Sequence, residues 1–198
     1  MAHKFLDVAF TPEVLAAQQH YYGRSQTLPP ATHDDPLGPD ETEFIGASDS
    51  FYLSSVSGTG WPYVQHRGGP VGFAKVISPT EIAFADYKGN RQMLTTGNLA
   101  ENDRVCLFFM DYPHRVRLKL LGHAKVLDAR DHPELVTQVA APEMVKITER
   151  IFKIRVVSFD WNCPKYITPR YTAAQVAEAV APLKARIAEL ESQLRQAP

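Results

Sequence analysis

The sequence predicts a mainly β fold with peripheral helices, an α+β chain built on a small barrel of six to seven antiparallel strands and closed by a long C-terminal helix. Three observations carry this. From Phe51 to Phe159, short runs rich in β-branched and aromatic residues recur between Gly and Pro punctuation, the pattern of successive hairpins. Many short strands at close spacing, with helices inserted, point to a barrel. Near the end, Val176, Val180, Leu183, Ile187, Leu190 and Leu194 recur at spacings of four and three, the a/d seam of a helix.

The elements follow in order. Residues 11–21 read as a helix, with Thr11 as N-cap, Pro12 at the first helical position and Glu13 in the first turn. Residues 23–40 carry four prolines and two glycines and form a long loop, read either as an ordered cover or as a disordered segment. A short helix over 40–47 precedes strands at 51–57, 61–67, 71–77 and 81–86. Residues 90–100 read as a short helix with a break near Gly97. The strand at 104–111 is almost wholly apolar and belongs inside the sheet. The strand at 115–127 alternates Val116, Leu118 and Leu120 with Arg115, Arg117 and Lys119. Helices at 131–140 and 142–148, a strand at 150–159 and a helix at 172–196 complete the chain. Pro182 kinks or restarts the last helix. Its seam either packs on a body or pairs between subunits. Three segments result: 1–39, the N-terminal helix and Pro-rich loop; 40–170, the barrel; and 171–198, the heptad helix.

Composition narrows the function. At 44% hydrophobic and 22% charged, the 198-residue chain can bury a core. A formal net charge of -1 argues against an electrostatic nucleic-acid binder. Cys106 and Cys163 are far apart with no CxxC, and the histidines show no metal-ligand spacing, so neither a disulfide framework nor a metal is expected. There is no apolar leader and no run of about 18 apolar residues. A soluble, cytoplasmic protein without a membrane partner is expected.

Four stretches could carry chemistry. Lys88-Gly89-Asn90-Arg91-Gln92 lies between a strand and a helix, where free N–H groups and an arginine suit an anion; a plain Asn90 N-cap is the rival reading. In PYVQHRGGPVGFAKV, Gln65 and Arg67 share one strand face and His66 takes the other, while Gly68 and Gly69 permit a close approach and Lys75 follows; a bulged barrel strand explains the same residues. Arg115 and Arg117 share a face that alternation alone assigns to solvent. Asp160-Trp161-Asn162-Cys163-Pro164 reads as a structured loop able to touch a flat ligand, and Cys163 has no adjacent base to activate it.

Taken together, FYLSSVSGTGWPYVQHRGGPVGFAKV, IAFADYKGNRQ, GNLAENDRVCLFFMDYPHRVRLKLLGHAKV and FDWNCPKYITPR resemble the pyridoxamine 5'-phosphate oxidase-like FMN-binding split-barrel family, its flavin-nucleotide-binding branch, over most of residues 40–170. The resemblance implies a split barrel and a homodimer with FMN at the subunit interface. It places Lys75 and Arg91 at phosphate-gripping positions, with Arg67 assisting and Asn90 and Gln92 flanking. Gln92 stands where the oxidases carry a lysine. Ala85 and Asp86 match a strand end that touches the cofactor through backbone. Arg117 falls near the flavin ring, where a cation favours the reduced anionic ring, and Arg115 shares its face. Trp161, Asn162 and Cys163 reach the ring edge from the second subunit. The oxidases' RLHDR substrate motif has no counterpart here, so vitamin B6 oxidation is not expected.

The resulting expectation is an FMN-dependent oxidoreductase that takes electrons from a nicotinamide or small organic donor, with His66 the first side chain to test as a proton donor. A non-catalytic FMN carrier or sensor is the alternative from another class, and heme or deazaflavin could replace FMN in a related barrel.

Overall fold

In the computed structural model, which describes residues 3–161 and 164–196, seven strands form one sheet in the order β2-β1-β5-β6-β7-β4-β3. The strands are β1 (Ser50–Val56), β2 (Pro62–Gly68), β3 (Ala74–Ser78), β4 (Glu81–Tyr87), β5 (Arg104–Asp111), β6 (Val116–Asp128) and β7 (Thr148–Trp161). Six α-helices are described: α1 (His3–Ala9), α2 (Pro12–Tyr22), α3 (Pro39–Gly46), α4 (Leu94–Glu101), α5 (Pro133–Val139) and α6 (Ala173–Gln196).

Alternation makes the core. Phe51 and Leu53 of β1, Val105, Leu107 and Phe109 of β5, and Leu118 and Leu120 of β6 point to one side and are buried. β1 and β4 lie far apart in the strand order, yet Phe51 meets Phe84 edge-on at 5.2 Å. The sheet therefore curls until its two ends share one core. Phe84 stacks on Phe152 at 5.0 Å and Phe51 on Phe109 at 4.6 Å. Each such buried ring contributes about 1.5–3 kcal/mol relative to exposure. The edge strands β2 and β3 are not hydrogen-bonded to each other, so side chains close the barrel there. This is the split barrel, an α+β fold, with the long C-terminal helix.

A second apolar cluster lies where α5 packs Val136 and Val139 against Ala83, Ala85 and Ile151. The Pro-rich segment before α3 holds no helix or strand, but its end is tied down. Asp35 N–H donates to the Val157 carbonyl at 2.9 Å, Ser158 Oγ donates to Asp35 Oδ2 at 2.5 Å, and Arg155 pairs with Asp34 at 2.5 Å.

Several local expectations change. The helix expected to start near Asn90 starts at Leu94, because Arg91 (φ 61°) and Met93 (φ 58°) adopt left-handed backbone that a helix cannot contain. Residues 142–147 form a 3-10 segment rather than an α-helix. α1 was not anticipated; it is tethered from Lys4 N–H to Asp35 Oδ2 at 3.2 Å, and Phe5 lies 4.7 Å from the Lys119 ammonium. At the glycine break after β2, Gly69 has no room for a Cβ, which would sit 2.8 Å from the Phe73 side chain, and the protein's own backbone comes close at Gly72. Gly72 (φ 73°) has no room for a Cβ, which would sit 2.8 Å from the Gly46 carbonyl, and its N–H donates to the Ser48 carbonyl at 2.9 Å. Pro182 lies inside an unbroken α6.

The chain divides into two compact units, residues 1–110 with 117–163, and residues 111–116 with 164–198. In the second, the hairpin tip places Tyr112 under the Arg170 guanidinium at 4.8 Å.

Candidate functional site

β2 and β4 approach each other across the open side of the barrel, and two inward side chains meet there. Arg67 Nη1 donates to Asp86 Oδ1 at 2.5 Å, with both side chains nearly buried at 11% and 13% exposure. Arg150 is the cross-strand partner of Asp86 on β7, and its Nε donates to Asp86 Oδ2 at 2.8 Å. The Arg67 guanidinium sits 4.8 Å from the Phe152 ring centroid and 5.9 Å from that of Phe84. One carboxylate thus bridges two guanidiniums over an aromatic floor. Burial pulls the Arg67 pKa below its usual range, and Asp86 offsets part of that shift.

Above the triad lies an open cavity of about 210 Å³. Gln65, Arg67, Asp86, Tyr87 and Arg150 line it from the strands, and residues 89–96 line it from the loop and the start of α4. α4 is seated by polar bonds to the sheet. Thr95 Oγ1 donates to Gln65 Oε1 at 2.8 Å, and Asn98 Nδ2 donates to Ser55 Oγ at 2.9 Å. The helix has no side-chain N-cap, so its first amides face the cavity end without that partner. Asn90 serves the loop instead, accepting from Gln92 N–H at 3.1 Å. The left-handed Arg91 and Met93 each store on the order of 1–2 kcal/mol, a cost that clusters at functional sites.

Two polar atoms of this wall, Arg67 Nε and Tyr87 Oη, are buried without a hydrogen-bond partner. Burial, with Glu143 nearby, raises the Tyr87 pKa. Beyond the triad a second hollow of about 160 Å³ shares Arg67, Asp86 and Tyr87 as its wall and adds His66 and Ala85.

The structure therefore brings six of the sequence candidates to one cavity: Gln65, Arg67, Asp86, Asn90, Arg91 and Gln92. His66 and Ala85 line the neighbouring hollow; His66 is exposed on the outward face, edge-on to Tyr52 at 5.7 Å, and Ala85 is buried in the second cluster. Four lie outside both hollows. Lys75 is exposed on the edge strand β3. Arg115 sits in the β5–β6 turn with φ 57°. Arg117 is half-buried, its guanidinium 5.6 Å from the Phe108 ring. Trp161 Nε1 donates to the buried Glu41 at 2.6 Å, and its ring meets Phe44 edge-on. Asn162 and Cys163 fall outside the described residues. Arg150, Tyr87 and Thr95 were not anticipated. Arg150 joins through strand pairing across 64 positions, which leaves no local mark in the sequence.

Among the described residues no group of His, Cys, Asp and Glu could hold a metal ion, and no helix is long and apolar enough to cross a membrane.

The profile of the pyridoxamine 5'-phosphate oxidase family matches residues 38–160, which include β1 to β6, all but the last residue of β7 and every residue of the triad. No curated protein matches the chain. Among solved structures, a candidate pyridoxamine 5'-phosphate oxidase from Lactobacillus delbrueckii is 16% identical, with a TM-score of 0.50 over 65% of this chain and 97% of its own. An FMN-binding protein from Syntrophomonas wolfei is 10% identical, with a TM-score of 0.44 over 62% and 83%. A general stress protein 26 from Bacillus anthracis is 12% identical, with a TM-score of 0.47 over 61% and 88%. At such identities the likeness speaks to the fold alone.

Proposed function

This chain belongs to the pyridoxamine 5'-phosphate oxidase family, and from that premise we propose that it is an FMN-binding flavoprotein, homodimeric, that carries electrons between a nicotinamide or other small organic donor and an acceptor. The observation that carries the reading is the charge of the cavity. Arg67, Arg91 and Arg150 less Asp86 leave a lining of net +2. A phosphate monoester brings about −1.5 to −2 at pH 7. The uncapped amides of α4 add donors at the same end. Arg67 Nε is a buried donor of the lining that a phosphate or ribityl oxygen would satisfy.

FMN, when bound, supplies the redox chemistry. The chain's own part is to hold and orient. Thr95 fixes the Gln65 amide by taking up its carbonyl oxygen, which directs the NH₂ donors elsewhere. Asp86 keeps two guanidiniums at a set spacing, and Arg91 supplies an exposed charge on a loop held in left-handed backbone.

Size supports a second subunit. Cofactor pockets run to roughly 300–1,000 Å³, whereas the cavity of one chain is about 210 Å³ and open. The outward face of β1 and β2 beside it exposes Tyr52 and Val64 at 40% and 60%. A second copy docked on that face would complete the trough. In this reading Arg115, Arg117 and Trp161, with Asn162 and Cys163, belong to the ring end of the flavin, and Lys75 acts at long range on the phosphate.

The test is spectroscopic. Purified protein is expected to be yellow, to bleach on anaerobic titration with NADPH and to recover its colour in air. Colourless protein that FMN cannot reconstitute overturns the cofactor; yellow protein that no nicotinamide bleaches overturns the nicotinamide donor.

A further inference from the structure

Within its own compact unit the apolar seam of α6 is uncovered. Val176, Leu183, Ile187, Leu190 and Leu194 are exposed at between 41% and 75%, and Val180 is partly exposed. Helices of 24 residues do not ordinarily leave one whole stripe of large aliphatic side chains in water. The stripe also has a specific grammar. With Val180 set at position a, the a positions are Val180, Ile187 and Leu194, and the d positions are Val176, Leu183 and Leu190. Two of the three a positions are β-branched and two of the three d positions are leucine, the pattern that favours two strands in a parallel coil.

The flanking charges agree with that arrangement. Arg186 falls at g and Glu191 at the following e. In a parallel pair, g of one helix faces the next e of the other, so Arg186 meets Glu191 of a second copy, twice by symmetry. The remaining complete g-to-e pairing sets Ala179 against Lys184 and is neutral. Within one chain Arg186 holds Glu189 at 2.6 Å, with both side chains more than half exposed, and it can exchange that surface partner at little cost. Pro182 falls at position c, away from the seam, so its missing N–H does not interrupt the contact face.

We propose that α6 pairs with α6 of a second copy of this chain as a parallel two-stranded coiled coil, in register, spanning the roughly three heptads from Val176 to Leu194. The pairing deepens the homodimer of the preceding reading and is independent of flavin. It gives the dimer a second joint made only of the C-terminal segment.

The experiment uses the full chain. Leu183→Cys and Leu190→Cys are oxidised separately, and the linked peptides are identified by mass spectrometry, which separates them from links through Cys106 or Cys163. Each variant is expected to link to its own copy. Adding Arg186→Glu is expected to lower the yield about tenfold, since two exposed pairs turn from attraction to repulsion. Adding Glu191→Arg to that chain is expected to restore it. No self-link in either variant, from protein that still sediments as a dimer, overturns the proposal, because the seam then lies on something else. A link that forms only in a mixture of Leu183→Cys with Ile187→Cys also overturns it, because an antiparallel pair sets position a against position d. Flavin content is measured on the same preparations: loss of flavin with linking intact strikes the cofactor reading alone, and loss of linking with flavin intact strikes the coiled coil alone.

Discussion

Replacing Asp86 by leucine removes the carboxylate that holds Arg67 and Arg150 together at the mouth of the barrel. The cost can be worked from the geometry. Arg67 would remain at 11% exposure over Phe152, with its Nε already without a partner and its Nη1 newly without one. Arg150 would lose its 2.8 Å bond but keep Glu149 at 3.1 Å, so the penalty falls mainly on Arg67. Removing one partner of a buried ion pair costs about 3–5 kcal/mol. For a chain of this size that corresponds to a fall in thermal midpoint of roughly 10 °C. The double variant Arg67→Met, Asp86→Leu removes the stranded charge as well, so it should be more stable than Asp86→Leu alone. Thermal or urea denaturation of the flavin-free protein reads both values. A midpoint for Asp86→Leu within about 2 °C of the parent, or a double variant less stable than the single one, would refute the reasoning that a buried charge depends on this carboxylate.

Three further outcomes follow from separate parts of the molecule. Glu41→Ala strands the Trp161 indole N–H and the Gly38 amide, which it accepts at 2.6 and 2.8 Å, and should cost about 2–3 kcal/mol with a red-shifted tryptophan emission. Gly122→Ala places a Cβ 2.6 Å from the Arg155 carbonyl at the β6–β7 bulge and should cost about 1–3 kcal/mol in urea denaturation. Burial raises the Cys106 thiol and the Tyr87 phenol above their ordinary values. The fold favours both neutral forms, so their stabilisation is complete below the ordinary unfolded values and is lost as pH rises through the raised folded ones. Alkylation of Cys106, followed by peptide mass, should accordingly stay slow at pH 8 and accelerate only in alkali.

The strands were legible because one face of each is buried, and burial writes a period of two into β1, β5 and β6. The Thr11-Pro12 start of α2 was legible for an equally local reason, since Thr11 Oγ1 does accept from Val14 N–H. The start of α4 was not. Arg91 and Met93 take left-handed backbone that their residue types do not announce, so the helix seemed to begin at Asn90. Gly68 and Gly69 announced a close approach without saying of what; at Gly69 it is the Phe73 side chain, and the tight backbone approach falls three residues on, at Gly72 against the Gly46 carbonyl. The cavity itself is a product of tertiary structure. Asp86 and Arg150 are opposite each other only because β4 pairs with β7, and Arg67 reaches them only because the sheet curls. A local reading could find the cations of β2 and of the loop; it could not find Arg150, nor see that Asp86 consumes part of their charge. The resemblance, not a local pattern, set Arg117 and Trp161 at the ring end of the flavin; within one described chain they lie against Phe108 and Glu41.

The central claim is that the cavity at the β2–β4 opening holds the phosphate of FMN. Its most direct test is a pair of titrations, FMN and riboflavin, into flavin-free protein and into Arg91→Ala. The two ligands differ only in the phosphate, and a hydrogen bond to a charged group contributes about 1.5–3 kcal/mol. The account predicts that Arg91→Ala weakens FMN by roughly 10- to 100-fold and leaves riboflavin unchanged. Equal losses for both ligands, or no loss for FMN, would contradict it.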